Sequence, residues 1–156
     1  PSLNITDAIT IEAWVKKASL TQHGPFIVEK EDESSYVYGL YHTYGGGEAR
    51  SIRFHIRNST GDVKGAGRFN ITDLEWHHIT GTFDGRYLKF YGEGVLLDTT
   101  DWGSMQTIKT GPGKLYIGVW GKNMGANHFN GTIDEVRIYN RALTPAEILQ
   151  NFNAGN

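Results

Sequence analysis

The acidic run from Glu29 to Glu33 holds the densest group of carboxylates in the sequence. Glycoside hydrolysis needs two carboxyl groups about 5–5.5 Å or about 6.5–9.5 Å apart, and alternate residues of a strand, about 6.5–7 Å apart, approach that spacing. This run, however, lies at a predicted strand end beside Ser34 and Ser35. Charge runs in such places are usually solvated, so the sequence predicts a hairpin loop here and not a catalytic pair.

The other residues that could perform catalysis lack the partners they need. Asp134 and Glu135 are neighbours in a predicted strand, so they point to opposite faces and cannot act together. For the same reason His77 and His78 cannot bind one ion without a bulge. The chain has no Cys and no H-x-H or H-E-x-x-H pattern, and Ser104 has no G-x-S-x-G context. These patterns predict a binding protein and no catalytic residues.

Several aromatic and polar residues have the chemistry that sugar recognition requires. Aromatic rings cover the apolar faces of pyranoses, while amides, imidazoles and guanidinium groups fix the hydroxyl groups. Trp102 lies in a polar loop where a core role is hard to arrange, and Trp120 opens a loop rich in hydrogen-bonding side chains. Arg53 and His55 alternate with the apolar Ile52-Phe54-Ile56 set. The predicted ligand-binding residues are Trp120, Trp102, Tyr44, His42, Arg53, His55 and Asn127.

The elements that must position these residues are mostly strands. Apolar and polar residues alternate with a period of two over about ten short segments, and Gly- or Asp-rich turns separate most of them. One helix is predicted at the C-terminus, where residues 144–147 (TPAE) form a capping box with Pro145 at the first helical position. The sequence predicts an all-β fold, an antiparallel β-sandwich in one domain over residues 1–156 with one short C-terminal helix.

Composition excludes several classes of partner. The net charge is −2, so neither nucleic acid nor an anionic membrane is indicated as a partner. The absence of Cys excludes disulfides and thiolate metal sites. No apolar run approaches 18 residues, so no membrane span is predicted. The 20 Gly fit many tight turns, and the 7 Phe, 8 Tyr and 4 Trp exceed what a core of this size needs.

Three stretches resemble one known family. They are residues 9–16 (ITIEAWVK), 76–85 (WHHITGTFDG) and 131–148 (GTIDEVRIYNRALTPAEI). In order and spacing they are similar to the LamG-like jelly-roll domains of the concanavalin A-like lectin/glucanase superfamily. The resemblance implies a jelly-roll sandwich that is secreted or displayed on a cell surface. It says less about function, because this sandwich hosts many ligands.

Two departures from the family bear on assembly. Residues 91–94 (YGEG) replace the usual Tyr-x-Asp-Gly, and the family's usual N-terminal strands have no counterpart before residue 9. The chain is then either an excised fragment or a sandwich with an unpaired edge. A strand supplied by a neighbouring chain would fill that edge and make the protein a polymer subunit.

The resemblance also implies a structural calcium ion near the last strand. Asp134 is the ligand that it suggests, and Asp7, beside the first strand, is a second candidate. Ca²⁺ takes six to eight oxygen ligands, so loop carbonyls would complete the site. The alternative is that Asp134 only accepts hydrogen bonds in a turn.

Together these features predict a non-catalytic carbohydrate-binding module that brings a glycan-active enzyme or surface protein to a polysaccharide. Its partners would be the glycan and a parent enzyme domain in the same chain. A structural or adhesive subunit, assembling through protein–protein contacts or strand exchange, is the alternative. A glycan hydrolase or lyase comes third, because no acid/base pair is evident.

Overall fold

A computed structural model describes residues 3–20, 26–43, 51–119 and 128–155. They form ten strands and one helix. In chain order these are β1 (Ile9–Lys17), β2 (Phe26–Glu31), β3 (Tyr36–His42), β4 (Ser51–Arg57), β5 (Val63–Asn70), β6 (Trp76–Phe83), β7 (Tyr87–Gly92), β8 (Val95–Asp101), β9 (Leu115–Ile117), β10 (Gly131–Tyr139) and α1 (Pro145–Ala154).

The strands make two five-stranded sheets that pack face to face. The first sheet has the order β10-β1-β6-β7-β8 and the second the order β5-β4-β3-β2-β9. Every pair of neighbouring strands is antiparallel. The predicted all-β sandwich with a short C-terminal helix is confirmed.

The core lies between the sheets and follows the alternation seen in the sequence. Ile52, Phe54 and Ile56 of β4 point inward and are fully buried. Gly81 of β6 faces Phe54 across the sandwich, and a Cβ at this position would overlap the phenyl ring. Each large apolar side chain buried in this way stabilises the fold by about 1.5–3 kcal/mol. Other buried members of the core are Ile9, Ile11, Ile27, Leu40, Ile79, Phe83 and Phe90.

Helix α1 begins as the sequence predicts. The hydroxyl of Thr144 accepts a hydrogen bond from the Glu147 amide, and the Glu147 carboxylate accepts one from the Thr144 amide. This capping box satisfies backbone donors that the first helical turn would otherwise leave unpaired. Ile148 is buried, and the Phe152 ring stacks on Trp14 of β1 with 5.7 Å between centroids. The helix therefore covers the outer face of the first sheet.

Candidate functional site

The two outer faces of the sandwich are covered differently. Helix α1 lies over the first sheet, where Asn151 also donates hydrogen bonds to Glu12 of β1. Among the residues that the structure describes, no helix or strand lies over the outer face of the second sheet. The half-buried side chains that point outward from this sheet, such as Tyr36, Tyr41 and Arg53, are therefore the ones that a ligand can approach.

The register of the second sheet aligns these outward residues in rows across the strands. Glu29 of β2 pairs with Gly39 of β3, which pairs in turn with His55 of β4. In an adjacent row, Tyr41 of β3 pairs with Arg53 of β4. Because Gly39 has no side chain, Glu29 and His55 meet above it, and Nε2 of His55 lies 3.3 Å from Oε1 of Glu29.

Aromatic rings surround His55 on this surface. The ring centroids of Tyr36 and Tyr41 lie 4.8 and 4.9 Å from the His55 centroid, both edge-on. The Phe26 ring lies 6.3 Å from that of Tyr41. These four residues and Val63 line a shallow cavity of about 130 Å³, and we call the five together the aromatic face. The cavity is smaller than a typical ligand pocket of about 300–1,000 Å³, so a ligand would lie across it.

The carboxylate of Glu29 is the most deeply placed charged group of the site. Its side chain is 0% exposed, and both oxygens are shielded from solvent. Burial raises the pKa of Glu29, although the nearby His55 acts in the opposite direction. The Glu29 carboxyl group therefore contacts the His55 imidazole beneath the surface and does not offer its oxygens to a ligand.

The raised pKa of Glu29 predicts a specific pH dependence of stability. A carboxyl whose pKa is raised by folding stabilises the native state below its ordinary pKa of 4.5, and this contribution is lost as the pH rises through the folded-state pKa. Glu29→Gln removes the titration. Relative to wild type, the variant should gain stability from pH 4 to pH 7, by about 1.4 kcal/mol for each unit by which folding raises the pKa. Urea unfolding of both proteins at several pH values measures this difference, and a constant or falling difference would contradict the assignment.

Two arginines flank His55 on β4. Arg53 and Arg57 are half-buried, and the Cζ atom of Arg57 lies 5.0 Å from the centroid of the Tyr36 ring. At this distance the guanidinium is attracted to the ring face. The outward side of β4 therefore presents Arg, His and Arg at alternate positions.

The prediction of a solvated loop over residues 29–33 is wrong for its first half. Glu29 and Glu31 lie within β2, and Glu31 is only 5% exposed. The turn begins at Asp32, whose carboxylate accepts hydrogen bonds from Ser34 and Ser35 and pairs with Lys109 at 2.8 Å. Glu29 and Glu31 are buried within the sheet, so the acidic residues of β2 do not mark an exposed segment.

The structure brings together two of the seven predicted ligand-binding residues. Arg53 and His55 point to the outer face of the second sheet, where His55 belongs to the aromatic face but is only 4% exposed, and Arg53 lies beside it and is half-buried. The predicted place of His42 on an open face is wrong, because it pairs with the core residue Ile52 and is 1% exposed. Three further residues, Tyr44, Trp120 and Asn127, lie outside the described residues.

Trp102 contacts the core, although the residues around it in the sequence are polar. It is half-buried against the core, with its ring centroid 5.9 Å from that of Phe83. Nζ of Lys64 lies 5.7 Å from the Trp102 ring centroid. The expectation that this tryptophan has no core role is wrong, since the segment after β8 folds back over the end of β6.

Five residues at or beside the aromatic face are not among the seven predicted ligand-binding residues: Phe26, Tyr36, Tyr41, Arg57 and Val63. Arg57 continues the alternation that identified Arg53 and His55, so the sequence carried a signal for it. The same alternation of buried and outward residues on β3 indicates Tyr41. Tyr36 could not be placed, because the register between β2 and β3 shifts at Lys30 and Glu31, and Phe26 begins a strand too short to show a period.

The two predicted calcium ligands do not form one site. Asp134 lies opposite Trp14 on β10, while Asp7 precedes the start of β1 at Ile9. About 16 Å of strand separates Ile9 from Trp14, so the two carboxylates cannot bind one ion. Within the described ranges, no three His, Asp or Glu side chains are grouped as a metal site would require. Calcium at Asp134 alone stays a prediction.

A β-bulge changes the expected orientation of Asp134 and Glu135. The register between β1 and β10 shifts between Glu12 and Trp14, and Glu135 has a φ of 50°. Both carboxylates line a cavity of about 470 Å³ beside Trp14, so the prediction that they point to opposite faces is wrong. Glu135 forms an ion pair with Arg137, which also pairs with Glu12 at 3.2 Å. Arg137 is thus shared by two carboxylates, while the Asp134 carboxylate accepts a hydrogen bond from the Glu135 amide.

Two packed antiparallel sheets, with aromatic rings on an outer face that no described helix or strand covers, form a jelly-roll sandwich. The model of the Laminin_G_3 family, described as belonging to the concanavalin A-like lectin/glucanases superfamily, matches residues 1–149. The chain belongs to this family, which confirms the resemblance seen in its motifs. No curated protein matches the chain in sequence. None of the described helices is long and apolar enough to cross a membrane.

Solved structures share the fold at low identity. Domain 4 of AbnA, a GH43 extracellular arabinanase from Geobacillus stearothermophilus in complex with arabinotriose, is 23% identical with a TM-score of 0.67, over 95% of this chain and 68% of that one. The binding domain of botulinum neurotoxin serotype G is 17% identical with a TM-score of 0.69, over 97% of this chain and 37% of that one. The binding domain of Paraclostridial Mosquitocidal Protein 1 is 20% identical with a TM-score of 0.70, over 99% and 39%. The chain thus spans less than half the length of the two toxin domains.

Proposed function

We propose that the chain is a non-catalytic carbohydrate-binding module whose aromatic face binds a glycan. The observation that carries this proposal is the outer face of the second sheet, which no described helix or strand covers and on which Tyr36 and Tyr41 flank His55 at 4.8 and 4.9 Å. Aromatic rings beside polar side chains are the chemistry that sugars require, with rings for C–H faces and polar groups for hydroxyls.

The neighbours are consistent with a binding role. One is a domain of an extracellular arabinanase in complex with arabinotriose, and two are toxin binding domains. We infer by analogy that this chain is secreted or displayed at the cell surface, and that it acts beside a glycan-active enzyme domain. Tethering of this kind raises the local concentration of the partner at a polymer surface.

Burial of the carboxylates argues against hydrolysis at this face. A glycosidase needs an acid and a base that reach the glycosidic bond. Both oxygens of Glu29 and one oxygen of Glu31 are shielded from solvent. The pair therefore lies beneath the surface on which a sugar would rest, and we expect no release of reducing sugar from any polysaccharide that the chain binds.

A structural or adhesive subunit remains the alternative, favoured by one feature of the first sheet. Its edge strand β8 exposes three consecutive apolar residues, Val95, Leu96 and Leu97. Exposed apolar edges promote pairing with another chain. The other edge, β10, carries the bulge and the charged residues Asp134, Glu135 and Arg137, which are features that oppose such pairing.

Replacement of the tyrosines tests the proposal. We expect Tyr36→Ala and Tyr41→Ala each to weaken binding by about 30-fold, the effect of removing a central aromatic contact. Affinity electrophoresis against arabinan, xylan, galactan, cellulose and polygalacturonate, with and without calcium, identifies the polymer and then measures the loss. Tyr87→Ala, on the first sheet beside Arg86, is the matched control and should bind as wild type does.

Two results would contradict the proposal. In the first, the wild-type chain binds no polymer of the panel, and a sedimentation profile dominated by oligomers would then favour the structural alternative. In the second, the tyrosine variants keep both their urea midpoints and their affinity, which would place the glycan elsewhere on the molecule.

A further inference from the structure

Strand β4 presents a row of three cationic or polar side chains at alternate positions. Ile52, Phe54 and Ile56 fill the core, so the residues between and after them point to the opposite face. These are Arg53, His55 and Arg57, and about 13 Å of strand separates the first from the last. A row of this length is suited to an extended ligand and not to a single sugar.

The guanidinium groups of Arg53 and Arg57 differ from those of the arginines that form ion pairs. Arg86 pairs with Asp101, Arg137 with Glu12, and Arg141 with Glu147. Over the described ranges, neither guanidinium of the β4 row forms an ion pair with a carboxylate.

The row also retains unused hydrogen-bonding capacity. The Nε atoms of Arg53 and Arg57 are buried and have no hydrogen-bond partner among the described residues. A buried donor without a partner is destabilising, and a ligand that accepts its hydrogen bond removes that cost. Each guanidinium of the row therefore has a donor that no described residue satisfies.

The carboxylate closest to the row pairs with its histidine and with neither of its arginines. Glu29 lies beneath the surface against Gly39 and contacts His55, and its oxygens are shielded from solvent. The guanidinium of Arg57 is instead held 5.0 Å from the Tyr36 ring centroid. Stacking on a ring leaves the N–H groups at the edge of the guanidinium free to donate in its plane. This face is thus locally cationic in a chain whose net charge is −2.

We propose that the aromatic face binds an extended glycan that carries carboxylate groups, with Arg53 and Arg57 each receiving one carboxylate. The planar guanidinium fits a carboxylate through two parallel hydrogen bonds. The sugar rings between the two carboxylates lie against Tyr36 and Tyr41. This inference rests on the proposed function and adds to it the chemical class of the glycan, which a uronate or a sialate polymer would meet.

The test compares a polyuronate with the same polymer after its carboxyl groups are reduced to alcohols. Titration calorimetry with the full chain measures polygalacturonate, its carboxyl-reduced form, polysialic acid and sulfated dextran at fixed salt. We expect tighter binding of at least one carboxylated polymer than of the reduced polymer, by roughly tenfold for each guanidinium contact. Which carboxylated polymer binds distinguishes a uronate from a sialate ligand.

Matched variants assign the effect to the row. Arg53→Gln and Arg57→Gln should each weaken binding of the carboxylated polymer by roughly tenfold and leave any binding of the reduced polymer unchanged. Arg86→Gln removes the same charge from the first sheet and should have no effect. Arg57→Lys should restore only part of the affinity, because an ammonium cannot make the paired hydrogen bonds.

The remaining outcomes separate the inference from the proposed function. Equal binding of the polyuronate and its reduced form overturns the inference and leaves the proposed function intact. Preference for sulfated dextran over both carboxylated polymers overturns the assignment of carboxylate. A similar loss in Arg86→Gln shows non-specific attraction of a polyanion and also overturns it. Failure to bind any of these polymers or any neutral glycan overturns both proposals.

Discussion

Gly39→Ala is expected to destabilise the protein by about 3 kcal/mol and to abolish glycan binding. Gly39 lies on β3 with the backbone of β2 close to its Cα. A Cβ there would overlap the Val28 carbonyl oxygen, and it would lie 2.8 Å from Oε2 of Glu29 and 3.2 Å from the Glu29 Cα. Two of these three atoms belong to the backbone, so the strands must separate to admit even one methyl group.

Gly39→Ala should also disturb the aromatic face, through the contact between Glu29 and His55. Nε2 of His55 lies 3.3 Å from the Glu29 carboxylate above Gly39, and the imidazole is flanked by the rings of Tyr36 and Tyr41. A methyl group between them displaces the carboxylate and with it the imidazole. We therefore expect loss of affinity even where urea midpoints show that the variant is folded.

Gly65→Ala is the matched control for this prediction. Gly65 follows in the same row, beside His55, and a Cβ there would lie 3.1 Å from the Phe54 carbonyl oxygen and 3.8 Å from the His55 Cβ. This is a milder contact, so we expect a loss of at most about 1 kcal/mol. Equal stability of the wild-type and Gly39→Ala proteins in urea unfolding would refute the close approach.

The fold could be predicted because its signals are local. The Ile52-Phe54-Ile56 alternation identifies a strand with one buried face, and the capping box at Thr144 and Glu147 fixes where the helix begins. Each signal depends only on residues within one strand or one turn. The family motifs then order these elements in a jelly roll.

The candidate site was only partly predictable, because it depends on register between strands. Alternation identified Arg53 and His55, but a period of two assigns faces only where a strand is regular and one side is solvated. Glu29 points to the outer face and is nevertheless buried beside His55, so its residue type carried no sign of burial. The same rule failed at the bulge that turns Asp134 and Glu135 to one cavity.

Glu12→Ala is expected to cost about 3–4 kcal/mol, since it removes a buried carboxylate that three elements share. Glu12 of β1 is fully buried under helix α1. Its Oε1 accepts hydrogen bonds from Arg137 at 3.2 Å, and from Tyr139 and Asn151 at 3.1 Å each. Oε2 accepts a second bond from Asn151 and lies 3.9 Å from Nε2 of His78. The carboxylate thus joins β1, β10 and the helix.

Glu12→Ala leaves the donors of Arg137, Tyr139 and Asn151 without a carboxylate to bind. Glu12→Gln keeps one carbonyl oxygen, so it should lose roughly half as much stability. Glu75→Ala is the matched control, because Glu75 is 78% exposed and its 3.8 Å pair with Lys16 contributes at most about 0.5 kcal/mol. Urea midpoints rank the stability of the three variants. If Glu12→Ala is as stable as Glu75→Ala, the prediction is wrong, and the helix is held by its apolar contacts alone, chiefly Phe152 on Trp14.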